Sequence, residues 1–323
     1  MKKLAIGILI SGISLGFLFW KLDLSGFANI RERWEPIYLL PFFAAIIWGL
    51  SLFSWRWYLL LGKRIPFKTA LLSSFIGVGA NQFLPARGGD IFRLYLCKKD
   101  SDANYGSLVS ALFLEKVLDF AFIFSAGLGA FFLLGIHQDF VRFLLPLVGI
   151  ASILGVLVFV RFFHKGIASL GEALFSKVGK GEFFRSKLSP LVLELGGFLS
   201  LNNAGKHGLL TGCTWLFGYG LHYTLLQYLV GIHLSPMETV FIMFCGAVGV
   251  MVPSAPSGAG VYHASITSGF VLLGRESSEG LVYATTVHLG QMVSLGILTA
   301  ILYTYWSFTG KERIPAELSG EKD

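Results

Sequence analysis

The sequence predicts an all-α polytopic membrane protein, with about six spanning helices and two oppositely oriented re-entrant broken hairpins forming an inverted-repeat-like core. Three observations predict it. The composition is 54% hydrophobic and only 14% charged, where a soluble domain carries about 25% charged residues. Six apolar runs approach or exceed the roughly 20 residues that cross a hydrocarbon core. Two further apolar runs stop short at Pro/Gly clusters that cannot continue a helix, one in each half of the chain.

Leu4 to Trp20 is the first run, behind Lys2 and Lys3. A signal peptide has an apolar core of about 7–15 residues followed by an A-x-A-like site. This run is longer and no such site precedes Lys21, so a retained anchor is expected. Ile37 to Leu61 is the second span. Thr69 to Leu84 then runs into Pro85-Ala86-Arg87-Gly88-Gly89 and a short arm, Asp90 to Cys97. Neither arm is long enough to span, which predicts a re-entrant hairpin. Ser107 to Gly135 and Phe140 to Phe163 are the third and fourth spans, and Gly208 to Gly231 is the fifth. Glu238 to Val252 meets Pro253-Ser254-Ala255-Pro256-Ser257-Gly258 and continues as Ala259 to Leu273. This is a second hairpin or two short spans, and arm length favours the hairpin. Gly280 to Phe308 closes the count.

The positive-inside rule tests this order. With the N-terminus cytoplasmic and both hairpins returning to their side of entry, 19 of the 26 basic residues fall inside. They include Lys63, Arg64 and Lys68, then Arg87, Arg93, Lys98 and Lys99, and seven between Arg161 and Lys206. Five fall outside, and Arg56 and Lys116 lie within spans. Reading Thr69 to Leu84 as a full span would move the central basic loop outside, so the hairpin is preferred and both termini are placed in the cytoplasm of the cell (inner or plasma) membrane. The organisation is one integral membrane domain, 1–310, with halves of about 4–163 and 208–308, a cytoplasmic amphipathic linker over 164–207, and a short tail over 309–323.

The two breaks resemble each other. Aligning Pro85 with Pro256 pairs Gly89 with Gly260, and each break follows a Gly-spaced arm, Gly77-Val-Gly79 or Gly246-Ala-Val-Gly249. Broken helices in corresponding positions of two halves point to a transport site near the bilayer midplane. Irregular backbone at that depth survives where it is buried in protein or lines a wet cavity, and a half-helix N-terminus offers N–H groups to an anion. The first break supplies Asn81, Gln82, Arg87, Asp90 and Arg93. The second supplies Ser254, Ser257, Gly258, Tyr262 and His263. Capping of exposed carbonyls by Asn81 and Gln82, and snorkelling of the arginines, are the structural alternatives.

Glu115, Lys116 and Asp119 lie inside the third span. Asp119 is 12 residues past Ser107, roughly 18 Å deep, and ionisable groups at such depth are candidates for function. Glu115 and Asp119 share a face, and Lys116 and Asp119 are also neighbours, able to form a bridge that only fixes packing. Arg87, Asp90, Arg93, Glu115, Lys116 and Asp119 sum to zero charge. In the last span His288 and Gln291 are three apart, with His222 and Gln227 in the span before; hydrogen-bonded packing is the plainer role for these, and a proton relay the sharper one. Cys97, Cys213 and Cys245 share no metal-ligand spacing, and no H-E-x-x-H, G-x-S-x-G or Walker A motif occurs. No cofactor, metal or ATP-driven engine is expected. The net charge of +7 is spread between apolar runs and not along one stripe, which speaks for anionic membrane lipid as partner and against nucleic acid. Homo-oligomerisation is left open.

Asn81-Gln-Phe-Leu-Pro85-Ala-Arg87-Gly-Gly89-Asp90-Ile-Phe-Arg93, Glu115-Lys116-x-x-Asp119 and Pro253-x-x-Pro256-Ser-Gly258-Ala-Gly260 resemble the lysylphosphatidylglycerol synthetase transmembrane family, over about Leu4 to Phe308. The resemblance implies the flippase half of the multiple peptide resistance factors, which moves aminoacylated phosphatidylglycerol between leaflets. Related stand-alone members are linked to glycolipid or polyprenyl-phosphate handling. The family carries an acidic residue near the position of His263, and this chain departs from it there. Full synthetases add a soluble aminoacyl-transferase domain, whereas 15 residues, Thr309 to Asp323, follow the last span here. The expectation is a non-enzymatic lipid translocator, in which Arg87 and Arg93 contact phosphate. The alternative is an integral membrane transferase using Glu115 or Asp119 as general base.

Overall fold

The computed structural model describes residues 35–84, 87–101, 103–136, 162–177, 179, 181–190, 192–193, 201–251 and 258–309. The expected spans Leu4 to Trp20 and Phe140 to Phe163 lie almost wholly outside them, as do Ser254, Ser257 and the tail. Among the described residues all regular structure is helical.

Helix α1, Leu39–Leu60, follows a 3₁₀ turn, Pro36–Tyr38, and carries its buried residues on one face. Phe42, Ala45, Ile46, Gly49, Leu50, Phe53, Arg56, Trp57 and Leu60 recur at the three-and-four spacing of a helix stripe. The opposite face exposes Phe43, Ile47, Trp48 and Trp55. An apolar outer face is what lipid as solvent requires, since it rewards no polar surface. Gly62 and Lys63 both adopt positive φ, 59° and 61°, and turn the chain into the next helix.

Helices α2, Phe67–Ala80, and α3, Gly88–Lys99, form the first hairpin. At 14 and 12 residues they are roughly 21 and 18 Å long, both below a 30 Å core. The arms run antiparallel, with Ser73 meeting Cys97 at one end and Asn81 meeting Asp90 at the other. They touch at Gly77, where a Cβ would lie 2.8 Å from Arg93 Cβ and 2.9 Å from the Gly89 carbonyl oxygen. Helix α4, Tyr105–Leu133, is capped by Asn104, whose side chain accepts from the Ser107 amide. Helix α5 covers 162–177, from the end of the expected fourth span into the expected linker, and Phe175 folds onto Phe184 while Arg185 bonds Glu172.

Helix α6, Leu201–Cys213, continues through a π-helical turn, Thr214–Tyr219, into α7, Gly220–Leu229. The expected span Gly208 to Gly231 is therefore helical as far as Leu229, with one widened turn at mid-length. Gly49 and Gly218 let α1 cross that turn in backbone contact, a Cβ on Gly49 falling 3.2 Å from Gly218 Cα. Helices α8, Pro236–Met251, and α9, Val261–Leu272, form the second antiparallel hairpin. Gly249 plays the part of Gly77, since its Cβ would lie 3.0 Å from Tyr262 Cα.

At the offset that aligns Pro85 with Pro256, Arg87 corresponds to Gly258, and both are left-handed, with φ of 57° and 73°. The two breaks thus share a backbone feature that side-chain identity hides. Their following helices start out of step, at Gly88 and at Val261. Helix α10, Ser277–Thr309, is 33 residues long and packs on both α2 and α9. Among the described residues three helices, Pro36–Leu60, Tyr105–Leu133 and Ser277–Phe308, are long and apolar enough to cross a membrane. The main core gathers around α1, α4, α7, α8, α9 and α10, with Phe241, Ile242, Ile266, Phe270 and Tyr283 at its centre.

Candidate functional site

Arg56 sits in the fifth turn of α1 with its side chain fully buried. It donates through Nη2 to Asp119 Oδ2 at 3.0 Å and through Nη1 to Asp119 Oδ1. The paired contact is the bidentate fork that guanidinium geometry favours. Nη1 also reaches Thr211 Oγ1 at 3.2 Å, and Trp215 Nε1 donates to Asp119 Oδ1 at 2.8 Å. Arg56 and Asp119 therefore bind α1 and α4, in the first half, to α6 and its π turn in the second.

Beside this pair, Arg93 on α3 donates to Glu115 Oε1 at 2.8 Å, and both side chains have 0% exposure. Lys116 Nζ lies 3.1 Å from the same Glu115 oxygen and 3.4 Å from Asp90 Oδ2. Arg87 Nε lies 3.5 Å from Asp90 Oδ2. Asn81 closes the tip of the hairpin, donating to Asp90 Oδ1 at 3.0 Å and accepting from the Asp90 amide at 3.2 Å. Under the cations lies an aromatic floor: Arg56, Arg93 and Lys116 are 5.3, 5.0 and 6.0 Å from the Phe53 ring centroid, and Arg93 is 4.1 Å from that of Trp57.

Asn81, Arg87, Asp90, Arg93, Glu115, Lys116 and Asp119 are thus brought into one network, as the sequence leads one to expect, but with two corrections. Lys116 bridges Asp90 and Glu115 and does not pair with Asp119, because Asp119 is claimed by Arg56 from another helix. Counting Arg56, the network is not neutral; its four cations exceed its three carboxylates. Arg56 is the network member that its position inside a span does not by itself single out. A signal was available, since Phe53, Arg56 and Trp57 share one helical face, as do Thr211 and Trp215. Arg93, expected on phosphate, is sealed beneath the cluster, while Arg87, with 55% of its side chain exposed, and Lys116, with 24%, lie at its open edge. Gln82 is half-buried at the turn after α2.

The family model for the lysylphosphatidylglycerol synthase TM region matches residues 4–299, a stretch that contains every residue of this network. The chain belongs to that family. No curated relative and no solved structure matches it. As a member of a lipid-associated membrane family, the chain has membrane lipid as its chemical context.

The second break holds a separate cluster. Tyr262 and Tyr223 join hydroxyls at 2.8 Å, and Tyr283 donates to the Tyr223 carbonyl at 3.0 Å. The ring of His288 lies 5.0 Å from that of His263 and 5.3 Å from that of Tyr262. His263 Nδ1 accepts from the Gly260 amide at 3.4 Å, so this histidine caps α9. Gln291 does not join them. Its amide meets His222 Nε2 at 2.8 Å, while Gln227 bonds Thr239 and the Leu234 amide. Gly258 is buried and supplies the left-handed turn into α9. Ring contacts connect the two clusters: Trp215 to Tyr219 at 5.0 Å, Tyr219 to His222 at 5.9 Å, and His222 to Tyr223 at 5.1 Å. Among the described residues no group of three His, Cys, Asp or Glu is placed to hold a metal ion.

Proposed function

We propose that the chain is a lipid translocator that passes a polar headgroup along the charged network while the acyl chains stay in the bilayer. The observation that carries this reading is the network itself. Seven charged side chains at the tip of a sub-spanning hairpin are joined through ion pairs, and the helices around them present apolar outer faces. Charges at membrane depth are costly unless they are paired or wet, and an opening at Arg87 and Lys116 gives a headgroup a polar partner beside hydrocarbon. In this reading the two hairpins are re-entrant from opposite sides of the cell membrane, both termini are cytoplasmic, and the family's lipid association supports lipid as cargo.

A transferase acting at the cytoplasmic face would need Glu115 or Asp119 to accept a proton. Asp119 is held by both Nη atoms of Arg56, and Glu115 is buried against Arg93, so neither carboxylate is presented to a substrate hydroxyl. That arrangement supports transport over group transfer. The test is a leaflet assay in liposomes of phosphatidylglycerol and phosphatidylethanolamine bearing fluorescent lipid analogues. Movement faster than in empty vesicles, lowered by replacing Arg87 and Lys116 together with glutamine, is the expected result. Rates equal to empty vesicles for every lipid tried would overturn the proposal, and new lipid products that vanish on Asp119→Asn would favour the transferase.

A further inference from the structure

The charge balance of the network bears on which lipid it takes, an inference that rests on the translocator reading. Arg56, Arg87, Arg93 and Lys116 oppose Asp90, Glu115 and Asp119, so the joined side chains carry one surplus positive charge. The surplus has a place. Asp119 is consumed by Arg56 and Trp215, and Glu115 by Arg93 and Lys116. Asp90, with a side chain only 10% exposed, lies just under the open edge, where Asn81, Arg87 and Lys116 all lean on it, and the more exposed Asp119, at 18%, is already held by Arg56 and Trp215. The two ion-pair contacts of Asp90 there, at 3.5 and 3.4 Å, are long.

Hydrogen-bond supply points the same way. Within the buried part, Arg56 Nε, Arg93 Nε and Arg93 Nη1 have no acceptor, against one spare carboxylate oxygen, Glu115 Oε2, 3.9 Å from Arg56 Nη2. The cluster is short of acceptors and long in donors. Helix α3 begins at this edge too, with Arg87 at its N-cap giving no side-chain hydrogen bond to the first turn, so backbone N–H groups add to the donor excess. A phosphate oxygen placed between Arg87 and Lys116 meets the two cations exposed at this edge, and its charge offsets the surplus of the network beneath it, whereas an ammonium group there meets two cations and finds one carboxylate already shared three ways.

We propose that this site selects lipids whose headgroup is a net-anionic phosphate, phosphatidylglycerol being the simplest, and discriminates against aminoacylated lipids whose headgroup is net cationic. Arg87 and Lys116 hold the phosphate, and Arg56 sets the charge surplus from beneath as a positioning residue.

The test is native mass spectrometry of the full purified chain, stripped of co-purified lipid in detergent and offered equimolar phosphatidylglycerol and lysylphosphatidylglycerol. At least tenfold more phosphatidylglycerol adduct is expected. Arg87→Gln lowers that preference several-fold, and the Arg87→Gln/Lys116→Gln double variant abolishes it; Arg87 is exposed enough for its variant to fold, which a thermal melt checks. A parallel arm adds glycerol phosphate: suppression of the lipid adduct assigns the site to phosphate as such, and no suppression assigns it to the lipid, both in keeping with anion selection. Equal adducts, a lysylphosphatidylglycerol excess, or a preference that survives the double variant would overturn the proposal. Selective binding with no leaflet movement would instead sink the translocator reading alone.

Discussion

Replacing Arg56 with methionine probes the junction between the two halves. At the 3.0 Å separation of Nη2 and Asp119 Oδ2, an effective dielectric of about 20 gives an attraction of about 5–6 kcal/mol before desolvation is counted. Removing one partner of a buried pair costs about 3–5 kcal/mol, chiefly because the other charge stays behind unpaired. Asp119 retains the Trp215 hydrogen bond and an 18% exposed side chain, which places Arg56→Met near the lower end, about 3 kcal/mol. Asp119→Leu strands a side chain of 0% exposure whose nearest remaining carboxylate is 3.9 Å away, and belongs near about 5 kcal/mol. The double variant removes both charges and leaves two apolar side chains packed together, so it loses less than either single change. The assay is equilibrium unfolding in mixed micelles, followed by helical circular dichroism so that Trp215 does not bias the signal. A double variant whose loss equals the sum of the two singles, or an Arg56→Met loss below about 1 kcal/mol, would refute a coupled buried pair.

Gly77→Val drives a side chain into Arg93 and the Gly89 carbonyl, 2.8 and 2.9 Å from the Cβ position; a loss of about 1–3 kcal/mol is expected in the same titration, and a wild-type midpoint would contradict close contact of the arms. Arg87→Gly removes the cost of a left-handed non-glycine residue at φ 57° and is expected to be more stable than Arg87→Ala by about 1 kcal/mol, yet both variants lose lipid adduct; equal stabilities would deny the backbone conformation. Asn81→Leu strips Asp90 of two hydrogen bonds and costs about 1–3 kcal/mol, with faster amide exchange at the hairpin tip as the local readout.

Much of the fold is legible in the chain because hydropathy and helix breaking are local. The runs at Ile37 to Leu61, Ser107 to Gly135 and Gly280 to Phe308 became long apolar helices, and the segments flanking both Pro/Gly clusters became short antiparallel arms. The described ends of the two breaks share one backbone feature, with Arg87 standing in the left-handed position that Gly258 takes in the other. Sequence could not reveal that equivalence, since arginine is not a residue expected at positive φ. The π turn at Thr214–Tyr219 was equally hidden, because no composition marks one extra residue per helical turn. Most members of the first-break charge network could be picked out by their depth and type. Their partners could not: the choice of Arg56 for Asp119, across 63 positions, depends on which faces of α1 and α4 meet.

The sequence by itself determined that this is a membrane chain of the lysylphosphatidylglycerol synthase TM region family, with two broken segments and a few charges at depth. Tertiary structure alone decided how those charges are spent. Helix packing buried Arg56, Arg93 and Glu115, left Arg87 and Lys116 at the edge, and turned an apparently neutral cluster into one with a cation to spare. Apolar burial is set along each segment, whereas an ion pair needs two segments to arrive at the same point, and only the folded chain brings them there.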